Sequence, residues 1–300
     1  MKKYKDNKSA ICFGEMLYDI FPDGRLPGGA PMNVALHLHQ HQIDTHFISS
    51  IGRDEEGDSL LKMLEERNFS TRWIQRNPAY QSGKVYADVS KNEDVSYEIV
   101  YPVAWDYIET DDQLIELAKE TQIFLYGSLA ARGTNSRHTL LTLLAHANTK
   151  VFDINLRQPF YDRELIQKLL QHADIAKVNE EEFSLLAQWF LGKESEETAE
   201  NDIYELAEKF KLDTICITRG SKGASLLAEG KLWHQAGFHV TVADTVGSGD
   251  AFLGAFLSQM LHNKNPQECL QYGCAVGAYV ASQKGATPQV NTQIIQDFFK

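Results

Sequence analysis

The chain has 300 residues, and 29 Lys and Arg against 41 Asp and Glu give it a formal net charge of −12. A surface of that sign repels a nucleic-acid backbone, so the composition excludes a protein that binds a long polyanion by bulk electrostatics. Hydrophobic residues at 43% and charged residues at 23% are ordinary globular values, and we expect a folded protein of one or two domains.

Strand and helix patterns alternate along most of the chain. Residues 11–13 predict a buried strand, and residues 31–42 predict a helix, since proline is tolerated in a first turn. The alternation continues with predicted strands at 45–51, 123–126, 151–154, 175–178 and 214–218, and with predicted helices at 57–67, 139–146, from 180 and near 203–210. Parallel neighbours need crossover connections, so this alternation predicts an α/β fold with one doubly wound, mostly parallel sheet between two helical layers.

One segment departs from that alternation. Residues 84–89 and 96–100 flank the polar turn 90–94, which predicts a β-hairpin. Because no helix covers the hairpin, we interpret it as a lid over a ligand; an edge hairpin without a function fits the pattern equally well. Its apolar positions also suggest a homodimer through the lid. They are Val85, Ala87, Val89, Tyr97, Ile99 and Tyr101.

The start of the chain does not have the pattern of a signal peptide. The basic residues 1–8 precede an apolar stretch that Glu15 and Asp19 interrupt. No apolar run approaches the roughly 20 residues of a membrane helix. The four cysteines contain no Cys-x-x-Cys pair, which is typical of a reducing compartment. We therefore expect a cytoplasmic protein without a membrane segment.

The most informative motif is Asp-Thr-Val-Gly-Ser-Gly-Asp-Ala at 244–251, which precedes an apolar helical run. Gly247 and Gly249 permit a tight turn, and the N–H groups of a first helical turn lack internal partners and lie at the positive end of the helix dipole. The motif therefore predicts an anion site. Asp250 is either a helix cap or a carboxylate that takes a proton from a hydroxyl attacking a phosphoryl group.

A second glycine turn, Pro-Gly-Gly-Ala-Pro-Met-Asn-Val-Ala at 27–35, also enters a predicted helix. Gly28 and Gly29 allow the backbone to approach a ligand closely, and the amide of Asn33 can bond a hydroxyl. A plain strand-to-helix turn is the alternative. Upstream, Asp19 lies among apolar neighbours, where a buried carboxylate needs partners such as sugar hydroxyls.

Two other patterns do not indicate sites. Phe252 stands where Gly-x-Gly-x-x-Gly needs its third glycine, and the sequence contains no Walker motif. His37, His39 and His41 suggest metal ligands, but alternate residues diverge on a helix. We interpret these histidines as part of a solvated helix face.

The combination of the two glycine motifs, in that order, resembles the two signatures of ribokinase-like (PfkB) sugar kinases. Segments 52–57, 153–157, 179–182 and 218–223 are also similar to the family, so the resemblance spans nearly the whole chain. The alanine and proline after the paired glycines look most like fructokinases. The resemblance implies a ribokinase-like fold in one kinase domain over 1–300, with a lid formed by about 15–26 and 82–103.

The resemblance also implies roles for individual residues. Asp250 would be the general base, the backbone of Gly247, Ser248 and Gly249 would form the anion hole, and Arg157 would reach the sugar or the transferred phosphoryl group. The sugar hydroxyls would be held by Asp19, Gly28, Gly29, Asn33 and Asp250.

The cofactors implied are ATP, Mg²⁺ and, as an open alternative, K⁺. The nucleotide would lie along Asn179, Thr218, Gly220, Gly223, Gly249, Lys284 and Gly285. Glu182 would organise Mg²⁺ through water, and Asp244, Val246 and Gly285 correspond to a loop that holds a monovalent cation in many relatives.

The implied activity is transfer of the ATP γ-phosphoryl group to a primary hydroxyl of fructose. An alternative acceptor is another hexose, a nucleoside or 2-keto-3-deoxygluconate, whose acidic group would need a cation such as Lys84. A catalytically silent sugar- or nucleotide-binding regulator and a nucleotide-dependent oxidoreductase rank lower. The expected partners are small molecules, with neither nucleic acid nor membrane among them.

Overall fold

The computed structural model describes residues 2–4, 7–22, 24–88, 96–193 and 199–299. The strands are β1 (Ser9–Phe13), β2 (Leu17–Phe21), β3 (Gly24–Gly28), β4 (Asp44–Gly52), β5 (Ile74–Asn77), β6 (Gly83–Asp88), β7 (Ser96–Ile99), β8 (Ile123–Gly127), β9 (Thr149–Asp153), β10 (Ile175–Asn179), β11 (Thr214–Thr218), β12 (Ala224–Ala228) and β13 (Lys231–Gln235). The α-helices are α1 (Ala30–Gln40), α2 (Glu55–Glu66), α3 (Asp112–Glu120), α4 (Thr134–Leu144), α5 (Arg163–Leu170), α6 (Glu180–Leu191), α7 (Glu200–Phe210), α8 (Ser248–Leu261), α9 (Pro266–Ala281) and α10 (Thr292–Asp297). Short 3-10 helices occupy Ala104–Tyr107, Leu129–Ala131 and Gly220–Lys222.

Within the described residues, the large sheet has nine strands in the order β13-β12-β11-β10-β9-β8-β1-β4-β5. Neighbours from β11 to β5 are parallel, whereas β12 and β13 add antiparallel strands at one edge. Successive residues of β1 point to opposite faces, with Phe13 in the core under α3 to α7 and Cys12 in the core under α1, α2, α8 and α9. The predicted doubly wound α/β fold in three layers is confirmed.

Strands β2 and β3 follow the carboxyl end of β1 and lead into α1, and β6 and β7 join them in a small sheet with the order β3-β2-β6-β7. The predicted hairpin is present, with β6 and β7 antiparallel and Val85 opposite Ile99. The predicted turn 90–94 and Val89 lie outside the described residues. The small sheet contacts α2, where Lys84 Nζ lies 2.6 Å from Glu56 Oε1.

Some elements were not predicted from the sequence. Helices α3 and α5 are short and are capped by Asp111 and Asp162. Each cap carboxylate accepts a hydrogen bond from the N–H three residues further along the chain, at 2.8 Å in both cases. That capping signal is present in the sequence, although the helices are too short for a strong apolar period. Among the described residues, no helix combines the length and the apolar character needed to cross a bilayer.

Candidate active site

The two glycine motifs meet at the carboxyl edge of the large sheet. Asn33, in the first turns of α1, donates a hydrogen bond from Nδ2 to Asp250 Oδ2 at 2.9 Å, across 217 residues of sequence. A Cβ built on Gly249 would lie 3.5 Å from Lys177 Nζ, near the end of β10. Carboxyl ends of parallel strands are the usual ligand-binding edge of doubly wound sheets, so the motifs lie where this fold places a site.

The environment of Asp250 shifts the pKa of its carboxyl group into a range suited to proton transfer. The side chain is partly exposed. Removal from water, followed by the nearby charge of Asp153, raises the pKa of Asp250 to about 6, while Asn33 and the cations Lys177 and Arg157 act against that rise. A carboxyl group with this pKa is mostly ionised at neutral pH and remains a useful proton acceptor.

The turn that begins α8 requires a glycine at Gly247. Its φ is +74°, and a Cβ there would lie 2.4 Å from the Cβ of Ala286. Within the turn, the N–H of Ser248 donates to Thr245 O at 3.2 Å. Of the three residues expected to form the anion hole, Ser248 therefore has its N–H engaged locally. In the described part of the chain, no carbonyl accepts from the first-turn N–H groups of Gly249 and Asp250.

Side chains from α1 and from the residue that follows α2 hold the loop containing Ala286 in place. His37 Nε2 donates to Ala286 O at 3.0 Å, and Arg67 Nη1 donates to Thr287 O at 3.2 Å. His37 is fully buried, and burial lowers its pKa to about 4. The interpretation of this histidine as part of a solvated face is therefore wrong: it is a neutral core residue that supports the wall of the Gly247 turn.

The carboxylate of Asp244 links the residues expected to hold a monovalent cation. Asp244 Oδ1 accepts from Val246 N at 3.0 Å, and Asp244 Oδ2 accepts from Gly285 N at 3.2 Å. This arrangement joins the two loops and keeps a hard oxygen ligand between them. Lys284, the neighbour of Gly285, is exposed.

The small sheet contributes the residues expected at the sugar. Asp19 lies on β2, and a Cβ on Gly28 would lie 2.4 Å from Asp19 Oδ2, so the carboxylate rests against bare backbone. Asp19 is partly exposed rather than fully buried, and removal from water raises its pKa to about 6. Gly29 follows as the N-cap of α1, which carries Asn33. Arg157 is exposed, and its charge opposes the rise in the pKa of Asp19 and Asp250.

Asn179 and Glu182 form a reciprocal cap at the start of α6. Asn179 Oδ1 accepts from Glu182 N at 2.8 Å, and Glu182 Oε2 accepts from Asn179 N at 2.9 Å. Glu182 Oε1 accepts from Leu156 N at 2.9 Å. Because each oxygen already takes a backbone N–H and the side chain is buried, this carboxylate fits a hydrated cation reached through water rather than direct coordination.

The residues expected along the nucleotide lie beside this cap. Thr218 ends β11 and donates from Oγ1 to Val178 O at 3.3 Å. Gly220 and Gly223 begin and follow the next 3-10 turn, and the N–H of Arg219 closes that turn on Gly223 O at 2.8 Å. The Arg219 side chain lies 3.7 Å from Glu180 on α6.

Three acidic or basic residues of the site were not predicted. Lys177 Nζ lies 2.9 Å from Asp153 Oδ1, and both side chains are buried. Glu15 is also buried, which raises its pKa to about 7, and it accepts from Ala30 N at 3.3 Å. A lysine inside the apolar strand β10 was the available signal, because a buried lysine needs a charged partner.

The fold and the site together define a phosphotransferase: a helix N-terminus open to anions stands beside an ionisable carboxylate at the edge of a parallel sheet. The chain belongs to the pfkB family of carbohydrate kinases, whose profile matches residues 10–293. It is accordingly a phosphotransferase with an alcohol group as acceptor.

Known proteins resemble this chain over most of its length. Fructokinase of Escherichia coli is 27% identical over 294 residues, which are 91% of this chain and 93% of the relative. Fructokinase of Vibrio cholerae O395, solved with fructose, ADP and calcium ion, has a TM-score of 0.84 at 21% identity and covers 99% of this chain and 100% of its own. Aminoimidazole riboside kinase of Salmonella enterica has a TM-score of 0.81 at 23% identity, with 97% and 100% covered. At these identities the two structures show the fold alone.

Proposed function

We propose that this carbohydrate kinase transfers the γ-phosphoryl group of ATP to a primary hydroxyl of fructose. The observation that carries the proposal is the contact between Asn33 and Asp250, because it joins a hydroxyl-binding amide to a proton acceptor at the start of α8. The similarity to fructokinases supports fructose as the acceptor.

In the proposed reaction, Asp250 accepts the proton of the attacking hydroxyl. The first-turn N–H groups of Gly249 and Asp250 stabilise the oxygens of the phosphoryl group in transit, and the turn through Gly247 and Ser248 fixes their direction. Arg157, with a planar guanidinium, adds positive charge from the side of the sugar. Little covalent chemistry is asked of the protein, because phosphoryl transfer depends mainly on position and charge.

ATP is proposed to lie along the residues at the ends of β10 and β11 and in the last loop. These are Asn179, Thr218, Gly220, Gly223, Gly249, Lys284 and Gly285. Glu182 would orient a hydrated Mg²⁺, an ion that neutralises phosphate charge when bound. Asp244, Val246 and Gly285 would provide a K⁺ site, an assignment supported by the shared Asp244 carboxylate.

A neutral sugar is favoured over an acidic one by the environment of Lys84. This cation lies 2.6 Å from Glu56, so its charge is already balanced within the protein. The proposed contacts to sugar hydroxyls come from Asp19, Gly28, Gly29 and Asn33. The likeness to aminoimidazole riboside kinase keeps a nucleoside as the second candidate acceptor.

The whole chain is proposed to act as one kinase domain over 1–300, with residues 15–26 and 82–103 as its lid. On the small sheet, Leu26 and Tyr86 expose 51% and 45% of their surface on opposite faces, whereas Val85 is buried. Tyr101, just after β7, exposes 54%. Exposed apolar side chains on the proposed lid, Tyr86 among them, support a homodimer through it. Sedimentation at micromolar concentration should show a dimer that Tyr86→Lys dissociates; a wild-type monomer would reject the interface.

A panel of acceptors tests the proposed function directly. ADP release is measured with MgATP and fructose, glucose, ribose, 2-keto-3-deoxygluconate or adenosine, and the product is located by phosphorus NMR. We expect the highest kcat/KM with fructose and phosphorylation at a primary hydroxyl. A higher kcat/KM with another acceptor would replace fructose, and the absence of phosphorylation with every acceptor would reject the kinase function.

A further inference from the structure

An ion pair is enclosed directly beneath the anion-binding turn. Lys177 Nζ lies 2.9 Å from Asp153 Oδ1, and the two side chains expose only 9% and 5% of their surface. Because Gly249 has no side chain, the ammonium lies close to the backbone of this turn, 3.5 Å from the position of a Cβ on Gly249.

One ammonium faces several carboxylates from different elements. Asp153 ends β9, Glu182 lies in the first turn of α6, and Asp250 lies in the first turn of α8, and all three charges act on Lys177. In the part of the chain that the structure describes, Glu15 and Arg157 also interact electrostatically with Asp250. Among the described residues, Asp153 Oδ2 is buried without a hydrogen-bond partner, so part of this charge is not satisfied locally.

A buried ion pair of this kind contributes little to the free energy of folding. A buried ion pair loses most of its attraction to the cost of removing both ions from water, and a well-packed apolar pair serves folding equally well. The position of Lys177 between the turn and three carboxylates has its clearest consequence for the charge of the site.

We propose that Lys177 is a positioning residue of the phosphoryl-transfer site, whose ammonium holds the Asp250 carboxylate in its proton-accepting form against the opposing charge of Asp153. The inference rests on the proposed role of Asp250 as the base. Burial alone would lower the pKa of Lys177, but the carboxylates of Asp153, Glu182 and Asp250 raise it above its usual range, so the ammonium remains charged at neutral pH.

Two substitutions should move the titration of Asp250 in opposite directions. Lys177→Met removes the attracting charge, and Asp153→Asn removes the repelling one. We expect the pKa of Asp250 to rise by about one unit in Lys177→Met and to fall in Asp153→Asn. The measurement is carbon NMR of aspartate labelled at the carboxyl carbon, with the Asp250 signal assigned from its loss in Asp250→Asn.

Kinetics should show the same signature. With the titration raised by one unit, kcat/KM of Lys177→Met should be about fivefold below the wild-type value near pH 6 and close to it above pH 8. Recovery at high pH separates a charge effect from damaged packing, which lowers activity at every pH. Lys150→Met is the matched control, since Lys150 lies on β9 near the opposite edge of the sheet and pairs with Asp174 at 3.7 Å; its profile should be unchanged.

The double variant Lys177→Met/Asp153→Asn removes both charges and should return the titration toward the wild-type position. If Lys177→Met fails to fold, Asp153→Asn and the double variant still show in which direction each charge shifts the pKa of Asp250. An Asp250 signal that titrates identically in all folded variants, or that moves the same way in both single variants, would overturn the inference. The NMR titration needs no substrate, so an enzyme that phosphorylates none of the acceptors would reject the proposed function without deciding this one.

Discussion

At Asp250, burial and charge act on one carboxyl group from opposite directions. Removal from water and the charge of Asp153 raise its pKa, whereas the amide of Asn33 and the ammonium of Lys177 lower it, and the balance is a pKa of about 6. A carboxyl group with an unshifted pKa would be a weaker proton acceptor at neutral pH. The residue identity alone, an aspartate in a first helical turn, is equally consistent with a cap.

The pH dependence of catalysis should report this group. A base must be ionised to act, so kcat/KM for the sugar should fall as pH decreases through about 6, the pKa of Asp250. The measurement is kcat/KM between about pH 4.5 and 9 at saturating MgATP. Activity that stays constant down to pH 4.5 would show that a group with an ordinary carboxyl pKa, rather than Asp250, limits the reaction.

Lys177 and His37 show what residue-level reasoning missed. Both lie in apolar segments of the sequence, where a polar side chain is either exposed or satisfied inside the core. The structure satisfies Lys177 through Asp153 and His37 through the carbonyl oxygen of Ala286. Neither partner is close in sequence, so periodicity indicates burial but does not identify the contact.

At the scale of elements, the turn before α8 depends on the loop packed against it. Gly247 combines a positive φ with a close approach to Ala286, and α1 and α2 hold that loop in place through His37 and Arg67. The geometry of the proposed anion site at the start of α8 therefore depends on α1, α2 and the loop containing Ala286 as well as on α8 itself.

Gly247→Ala should impair catalysis more than a substitution that introduces backbone strain alone. A Cβ at Gly247 has to displace Ala286, so we expect kcat to fall by about 10²-fold as the N–H groups lose their direction. Gly230→Ala is the matched control, because its φ is +68° and a Cβ there meets nothing within 4 Å. The control should lower the free energy of unfolding by about 1 kcal/mol with unchanged kinetics.

Thermal unfolding and steady-state kinetics of the two alanine variants distinguish these effects. The expected pattern is a similar loss from strain in both, with an added loss of stability and of kcat only at Gly247. Equal kinetics in the two variants would mean that the turn before α8 takes no part in phosphoryl transfer.

The central strands and the helices α1, α2, α4, α6 and α7 were predictable because their patterns match their environment. Strands β1, β4, β8, β9, β10 and β11 are buried on both faces along most of their length, and β1, β8 and β11 are largely apolar, which is the signature of a parallel sheet. Strand β3 was not recognisable because its first three residues are exposed and its fourth is a proline. Its extended conformation is stabilised by antiparallel pairing with β2 and is not indicated by its own sequence.

At the scale of the whole molecule, the net charge of −12 is compatible with a small polyanion as ligand. The proposed phosphate site uses backbone N–H groups at the start of α8 and a few cations, so a local positive potential exists within an acidic protein. The resemblance to a kinase family assigned both glycine motifs to one site. The cluster of charges around Lys177 beneath that site could not be predicted from the sequence, since it joins residues of β9, β10, α6 and α8.

The most direct test of the account is a comparison of the wild-type protein with Asp250→Asn, in which turnover and ligand binding are both measured with the best acceptor. General-base catalysis predicts that kcat falls by about 10²–10⁴-fold while calorimetry finds sugar and ATP binding within a few-fold of wild type. Asp112→Asn, at an exposed position of α3, serves as the control and should leave both unchanged. Near-normal turnover in Asp250→Asn would contradict the account.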